Sequence, residues 1–532
     1  MQTTAIILTA ILLFCFFALM IGVGLYCRRH ATNVNGFVLG GRSVGPWLTA
    51  FAFGTSYFSA VIFVGYAGQF GWNFGLASTW IGLGNAFIGS LLAWSLLGRR
   101  TRLMTQHIGS KTMPDFFSKR YGSNKLKVAA SIIVFIFLIP YTASLYNGLS
   151  SLFNIAFSVP YWVCILVMAV LTGVYVIFGG YMATAINDFI QGIIMLVGIV
   201  LVVGAVLSSN GGFTEAVNKL SQVVGDAPAG FEGAYTAFLG PQPLYLLFVV
   251  ILTSLGTWGL PQMIGKFYSI KDEDAVRKGT IISTVFAIIV AGGCYFLGGF
   301  GRLYDIKPTA SGAIVYDSII PTMLSTLSPI VIAVVIMLVL AASMSTLSSL
   351  VLTSASTLTL DLVVPFMKKK PDEKKTLFIM RIFIAFFILL SAAIAIIKDL
   401  NPTFTFIAQM MGVSWGALAG AFLAPFLYGL YSKKTTKASV VASFVFGVGL
   451  EVVQLFIMFG IIPMPGGFLG FVFTNPLYSG AFAMLGGLVI VPLVSLFTPK
   501  QDKAEVDAIF ACYEKKVLVN ATDALHSGEE VE

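Results

Sequence analysis

The chain has 532 residues, 57% of them hydrophobic and only 10% charged, with a formal net charge of +9. That composition excludes a soluble globular protein and fits an integral membrane protein. Basic loops lying on anionic lipid account for the positive balance, so no nucleic-acid partner is implied. The five cysteines show neither a disulfide framework nor metal-ligand spacing.

The first apolar run, 5–26, is of spanning length and lacks a basic start, so it reads as a retained helix. Further runs lie near 46–71, 75–97, 128–155, 158–178, 183–207, 241–265, 279–300, 327–360, 376–397, 403–431, 438–462 and 476–498, which makes thirteen expected transmembrane helices. Thirteen crossings put the termini on opposite sides. Lys and Arg select the sides. With the N-terminus outside and the C-terminus cytoplasmic, all 32 except Lys219, Arg302, Lys307 and Lys398 fall inside. The segment 99–127 is the richest, followed by Lys368, Lys369, Lys370, Lys374 and Lys375.

In chain order, the second crossing carries Gly54-Thr55-Ser56-Tyr57-Phe58-Ser59-Ala60 and then Gly65, Gly68 and Gly71. Polar side chains and repeated glycines at mid-membrane fit either an unwound helix or a small-residue packing stripe. Met113-Pro114-Asp115 suits the start of a short surface helix. The fourth crossing holds Tyr141, Ser144 and Tyr146, and Phe178-Gly179-Gly180 forms an inside turn. Asp188 lies one to two turns into the sixth crossing. An acid at that depth is a functional candidate, the alternative being a hydrogen-bonded structural carboxylate. The other acid well inside a run is Glu451, which reads as structural or protonated.

The seventh crossing contains Thr253-Ser254-Leu255-Gly256-Thr257-Trp258-Gly259-Leu260-Pro261-Gln262, where two glycines and a proline around a tryptophan break a helix. The ninth crossing carries Ala341-Ala342-Ser343-Met344-Ser345-Thr346-Leu347-Ser348-Ser349. Ala342, Ser345, Thr346 and Ser349 follow i, i+3, i+4, i+7 and share one helix face. Hydroxyl oxygens on that face, beside carbonyls freed by a broken neighbour, suit a hard monovalent cation; the alternative is small interface residues bonded back to their own helix. Crossing eleven adds Gln409, Ser414 and Trp415.

The breaks fall in crossings two and seven, five apart, which is the pattern of an inverted five-helix repeat. The expected organisation is a leading helix and inside loop (1–45), a first repeat (46–207), an outside loop (208–240), a second repeat (241–431), two additional helices (432–499) and a charged cytoplasmic tail (500–532). The solute pocket should lie between the breaks. Ser56, Tyr57, Ser59, Tyr141, Thr253, Thr257, Trp258 and Ser414 are its candidates. They offer hydroxyls and aromatic faces; no Lys or Arg is placed there, and Asp188 has no partner nearby in sequence.

These residues resemble the sodium/solute symporter family. The matching motifs are Gly40-Gly41-Arg42-Ser43, the stretch 55–60, Phe178-Gly179-Gly180 with Asn187, Asp188 and Gln191, Gly259-Leu260-Pro261-Gln262, and the stretch 342–349. The resemblance implies an all-helical LeuT-like fold and secondary active transport driven by one or two sodium ions. It implies a main sodium site from the carbonyls of Thr55, Phe58 and Ala342 with the hydroxyls of Ser345 and Thr346. It also implies a second sodium at Asp188, Ser345, Ser348 and Ser349. Tyr57, Thr253 and Thr257 depart from the proline branch while Tyr141 matches it. The Asn187-Asp188 pair and the stretch 57–60 are similar to the pantothenate and monocarboxylate branches. The implied cargo is thus a small carboxylate: a monocarboxylate, a pantothenate-like acid or an amino acid such as proline. A neutral sugar or polyol is the alternative.

Other classes fit less well. A channel would need a charged ring or filter loop. A membrane enzyme would need paired acid and base groups, and His30, His107 and His526 all lie outside the apolar runs. A nutrient sensor would need more than the short tail after Lys500.

Overall fold

The computed structural model describes residues 3–157, 160–225, 230–308, 312, 314–400 and 407–514. In hydrocarbon every backbone polar group must be satisfied within its own segment, which leaves the helix as the natural element. Among the described residues there is no strand, only an isolated bridge between Val44 and Ile270. The main helices are α1 (Thr3–Cys27), α2 (Pro46–Tyr57), α3 (Asn124–Phe157), α4 (Tyr161–Ser209), α5 (Pro243–Leu255), α6 (Pro261–Ser269) and α7 (Glu273–Gly298). They continue with α8 (Pro329–Thr357), α9 (Glu373–Leu400), α10 (Ile407–Tyr431), α11 (Lys437–Met458) and α12 (Pro476–Phe497). A further helical run, Val61–His107, follows α2.

Ten described stretches are long and apolar enough to cross a membrane, or eleven with the bent pair α5 and α6, so the expected thirteen is not reproduced by this measure. Two of the ten, Val61–His107 and Tyr161–Ser209, are 47 and 49 residues long, where one crossing needs about 20. Gly75 interrupts the first at φ 61° and Gly180 the second at φ 55°, left-handed values that glycine adopts without steric cost. The inside turn expected at Phe178-Gly179-Gly180 is therefore a break within α4.

Helix α8 is the buried axis. It packs against α4, α3, α9 and α2, and every residue from 338 to 352 is buried. A helix that is covered all round needs no amphipathic stripe. Peripheral helices instead expose apolar side chains such as Phe14, Phe378 and Phe497, as a lipid-facing surface does.

The Gly-Gly-Arg-Ser stretch turns the chain into α2. Gly40, Gly41 and Arg42 have φ of 58°, 69° and 56°. The Arg42 guanidinium donates to the carbonyls of Ser110 (2.5 Å), Thr105 (3.3 Å) and Tyr268 (3.4 Å). Val44 N donates to Ser269 O at 3.1 Å, and Lys271 N donates to Val44 O at 3.0 Å. The entry to α2 is thereby fastened to the end of α6. The short helix expected after Pro114 is present as Met113–Tyr121, capped by Thr112 accepting from Asp115 N at 3.2 Å. Its Met113, Phe116 and Phe117 are buried, so it plugs into the bundle and is not a surface helix.

Candidate functional site

Helix α2 stops at Tyr57, and the chain re-enters helix only at Val61, through a π-helical turn to Tyr66. A helix leaves its last four carbonyls without an intrahelical partner. Phe58 N closes on Gly54 O at 3.0 Å, leaving the next carbonyls to find partners elsewhere. Thr55 O finds them on α8. Ser345 Oγ and Thr346 Oγ1 each lie 3.1 Å from it, and 3.1 and 3.2 Å from Ala342 O. Two carbonyl and two hydroxyl oxygens thus converge in a buried, uncharged cradle. A hydroxyl oxygen that here donates can turn its proton away and present a lone pair to a cation. Phe58, expected as a further carbonyl ligand, caps α2 at φ −97°, ψ 88°, so its carbonyl also lies outside the α2 ladder.

Directly beyond the cradle, aromatic rings gather. Tyr57 stacks on Phe58 with ring centroids 4.3 Å apart, and Trp415 lies 6.0 Å from Tyr57 and 6.1 Å from Tyr141. The Ser59 hydroxyl, the Tyr141 hydroxyl and Trp415 Nε1 are buried beside one another, without a well-formed hydrogen bond to the rest of the protein. Orphaned polar groups in a buried site are costly. Three such groups gather around one ring cluster.

The second break is also present. A single 3₁₀ turn, Gly256–Trp258, and Gly259-Leu260 separate α5 from α6, with a bend of 41°. Its side chains, however, turn to the neighbouring run. Thr257 Oγ1 donates to Gly89 O at 3.0 Å and Trp258 Nε1 to Ile88 O at 3.0 Å. The Thr253 hydroxyl returns to Val249 O at 2.8 Å, while its carbonyl accepts from the Tyr57 hydroxyl at 2.6 Å. Ser414 bonds back to Met410 O at 3.0 Å. Of the eight solute-site candidates, Tyr57, Ser59 and Tyr141 meet at the ring cluster. Thr253, Thr257, Trp258 and Ser414 have internal partners, and Ser56 Oγ pairs with Ser349 Oγ at 2.7 Å.

That last contact leads to a third cluster, which is charged. Lys266, just past the apolar run 241–265, lies on α6 and is 3% exposed. Its Nζ donates to Ser349 Oγ at 2.9 Å and stands 3.5 Å from Asp188 Oδ2, with the Tyr181 ring 5.3 Å away. Asp188 is fully buried on α4 and its Oδ1 has no hydrogen-bond partner. Asp188 has no partner nearby in sequence, and the structure supplies one from 78 residues away on α6. A cavity reaches this cluster from the segment before the Met113–Tyr121 helix, lined by Lys111, Gln262, Lys266 and Ser349 among others. The Ser348 hydroxyl instead turns back to Ser345 O at 2.9 Å.

Sequence reasoning missed Lys266 because a lysine at the end of an apolar run reads as a loop cation. The available signal was its setting, Ile264-Gly265-Lys266-Phe267-Tyr268, apolar on both sides. Trp415 was seen only as a polar position of its helix, not as the ring facing Tyr57 and Tyr141. Glu451 lies on α11, accepts from Ser479 Oγ of α12 at 2.9 Å, and packs its carboxylate against Gly416 of α10.

Comparison with known proteins adds to this geometry. The profile described as the Sodium:solute symporter family matches residues 37–447. The osmoregulated proline transporter OpuE of Bacillus subtilis is 29% identical over 512 residues, covering 94% of this chain and 96% of its own. Sodium/proline symporter 2 of Staphylococcus saprophyticus is 30% identical, covering 88% of this chain and 91% of its own. Among solved structures, a Na+-coupled sialic acid symporter in a substrate-bound, outward-open state superposes with a TM-score of 0.74 at 17% identity, covering 93% of this chain and 98% of that one. That likeness establishes a shared, LeuT-like fold. The chain is a multi-pass membrane protein and belongs to the sodium:solute symporter family.

Proposed function

We propose that the protein imports a small carboxylate across the plasma membrane by alternating access, with sodium entering down its gradient. The observation that carries this is the cradle. Thr55 O, Ala342 O, Ser345 Oγ and Thr346 Oγ1 converge across the α2 break, one residue from Ser56 and two from Tyr57. A cation there cross-links α2 to α8 and places positive charge beside the ring cluster. Solute and ion then raise each other's affinity by the same factor. Helix ends at the break add partial charge without a basic side chain in the pocket.

Among carboxylates, an amino acid of the size of proline comes first, because the two curated relatives above are named proline transporters. Tyr57, Ser59, Tyr141 and Trp415 supply ring faces and polar atoms on that scale. Reading Val61–His107 and Tyr161–Ser209 as two crossings each gives thirteen. The lysine- and arginine-rich segments then face inward and the N-terminus lies outside. The inverted repeat of 46–207 and 241–431 follows from the two breaks. The test is uptake by proteoliposomes under an imposed sodium gradient, across proline, other amino acids, monocarboxylates, pantothenate and sugars. Sodium-dependent accumulation of a carboxylate supports the reading. Sodium-driven uptake confined to sugars or polyols overturns the cargo, and uptake indifferent to sodium overturns the coupling.

A further inference from the structure

We propose that the Lys266 ammonium is the resident cation of the Asp188 cluster, so that each solute is carried with one sodium ion and not two. This rests on the proposed sodium-coupled function and deepens it. The family resemblance assigns a second sodium to Asp188, Ser345, Ser348 and Ser349. The side chains as arranged do not fit that ion. Ser349 Oγ accepts from Lys266 Nζ at 2.9 Å, and Asp188 Oδ2 faces the same nitrogen at 3.5 Å. Ser345 belongs to the main cradle, bonded to Thr55 O and Ala342 O. Ser348 turns back to Ser345 O.

Charge balance argues the same way. Asp188 and Lys266 are both enclosed, with side chains 0% and 4% exposed. One carboxylate neutralises one cation. A sodium ion added beside the ammonium would leave a buried net positive charge, which low-dielectric surroundings strongly disfavour. The ammonium also has advantages over a free ion. It is held on the α6 chain, donates along defined directions, and needs no dehydration on each cycle. Through Ser349 it reaches Ser56 Oγ, 2.7 Å further on, in the residue next to the Thr55 carbonyl of the sodium cradle. The built-in cation therefore braces α4, α6, α8 and α2 at the place where a mobile ion would otherwise do so.

The decisive experiment measures the sodium-to-solute ratio from reversal potentials in proteoliposomes, for the wild type and for Lys266→Ala. The inference predicts one sodium per solute in the wild type and two in Lys266→Ala, where Asp188, Ser348 and Ser349 become free to bind an ion. Two in the wild type, or one in both, overturns it while leaving sodium-coupled import standing; a wild type indifferent to sodium overturns import as well. Should Lys266→Ala fail to fold, the double variant Lys266→Ala/Asp188→Asn serves instead. It removes both charges and should recover much of the uptake that Asp188→Asn alone loses. A double variant as impaired as Asp188→Asn would show that the carboxylate acts on something other than Lys266, and would overturn the inference.

Discussion

Helix α8 serves two polar clusters one turn apart, and they are built on opposite principles. Around Ala342, Ser345 and Thr346 the paired groups are neutral: carbonyls and hydroxyls face each other across a broken helix. Around Ser349 the carboxylate of Asp188 and the ammonium of Lys266 face each other. Neutral oxygens can accept a cation and release it, because neither state leaves an unpaired side-chain charge behind. A buried ion pair holds itself together, because separating it strands a charge. The first arrangement suits an ion that travels, the second an ion that stays.

The sharpest way to break this contrast is Asp188→Asn. It leaves the Lys266 ammonium buried without its counter-charge, and breaking a buried pair costs about 3–5 kcal/mol. Most of the folded, uptake-competent protein should be lost, as read by gel filtration and uptake. Normal yield with normal uptake would contradict the pairing. Next come Ser345→Ala and Thr346→Ala, which each remove one oxygen from the neutral cradle. A contact to a charged group is worth about 1.5–3 kcal/mol, and 1.4 kcal/mol is roughly tenfold. Half-saturating sodium should therefore rise about tenfold or more in each, with folding retained. Unchanged sodium dependence in both would remove the cradle from the transport path.

How far the two clusters were legible in the sequence follows from the same contrast. The neutral cradle was readable in part: Ala342, Ser345 and Thr346 at i, i+3, i+4 form a local pattern, while the composition of the stretch 54–60 fits an unwound helix or a packing stripe equally well. The charged cluster was half readable. Asp188 stood out as an acid within an apolar run, but its partner is 78 residues away on another helix, and no local pattern links them. The fold class came through because hydropathy is summed over whole segments. Hydropathy also separates the apolar runs near 71–75 and 178–183, and there the two long helical runs turn on a single glycine, Gly75 and Gly180. Side-chain direction was the weakest reading. At the second break Thr257 and Trp258 find carbonyls on the adjacent run, which spacing alone does not reveal.

On the solute side the expected effects are smaller. Tyr141→Phe keeps the ring beside Trp415 and removes only the hydroxyl. One hydrogen bond is worth about 1 kcal/mol, so solute affinity should fall roughly fivefold while sodium binding without solute stays as in the wild type. Calorimetric titration of both ligands checks this, and unchanged solute affinity would place the pocket elsewhere. The smallest effect belongs to Trp258→Phe. Its indole N–H is bonded to Ile88 O, so the variant should melt slightly lower with solute affinity within about twofold. A larger drop in affinity would return Trp258 to the pocket.

If one cation position is filled from solution and the other from the chain, the number of bound sodium ions reveals it. Equilibrium binding of radioactive sodium to the purified protein, at saturating solute, should plateau at one ion per chain. A plateau at two would contradict it.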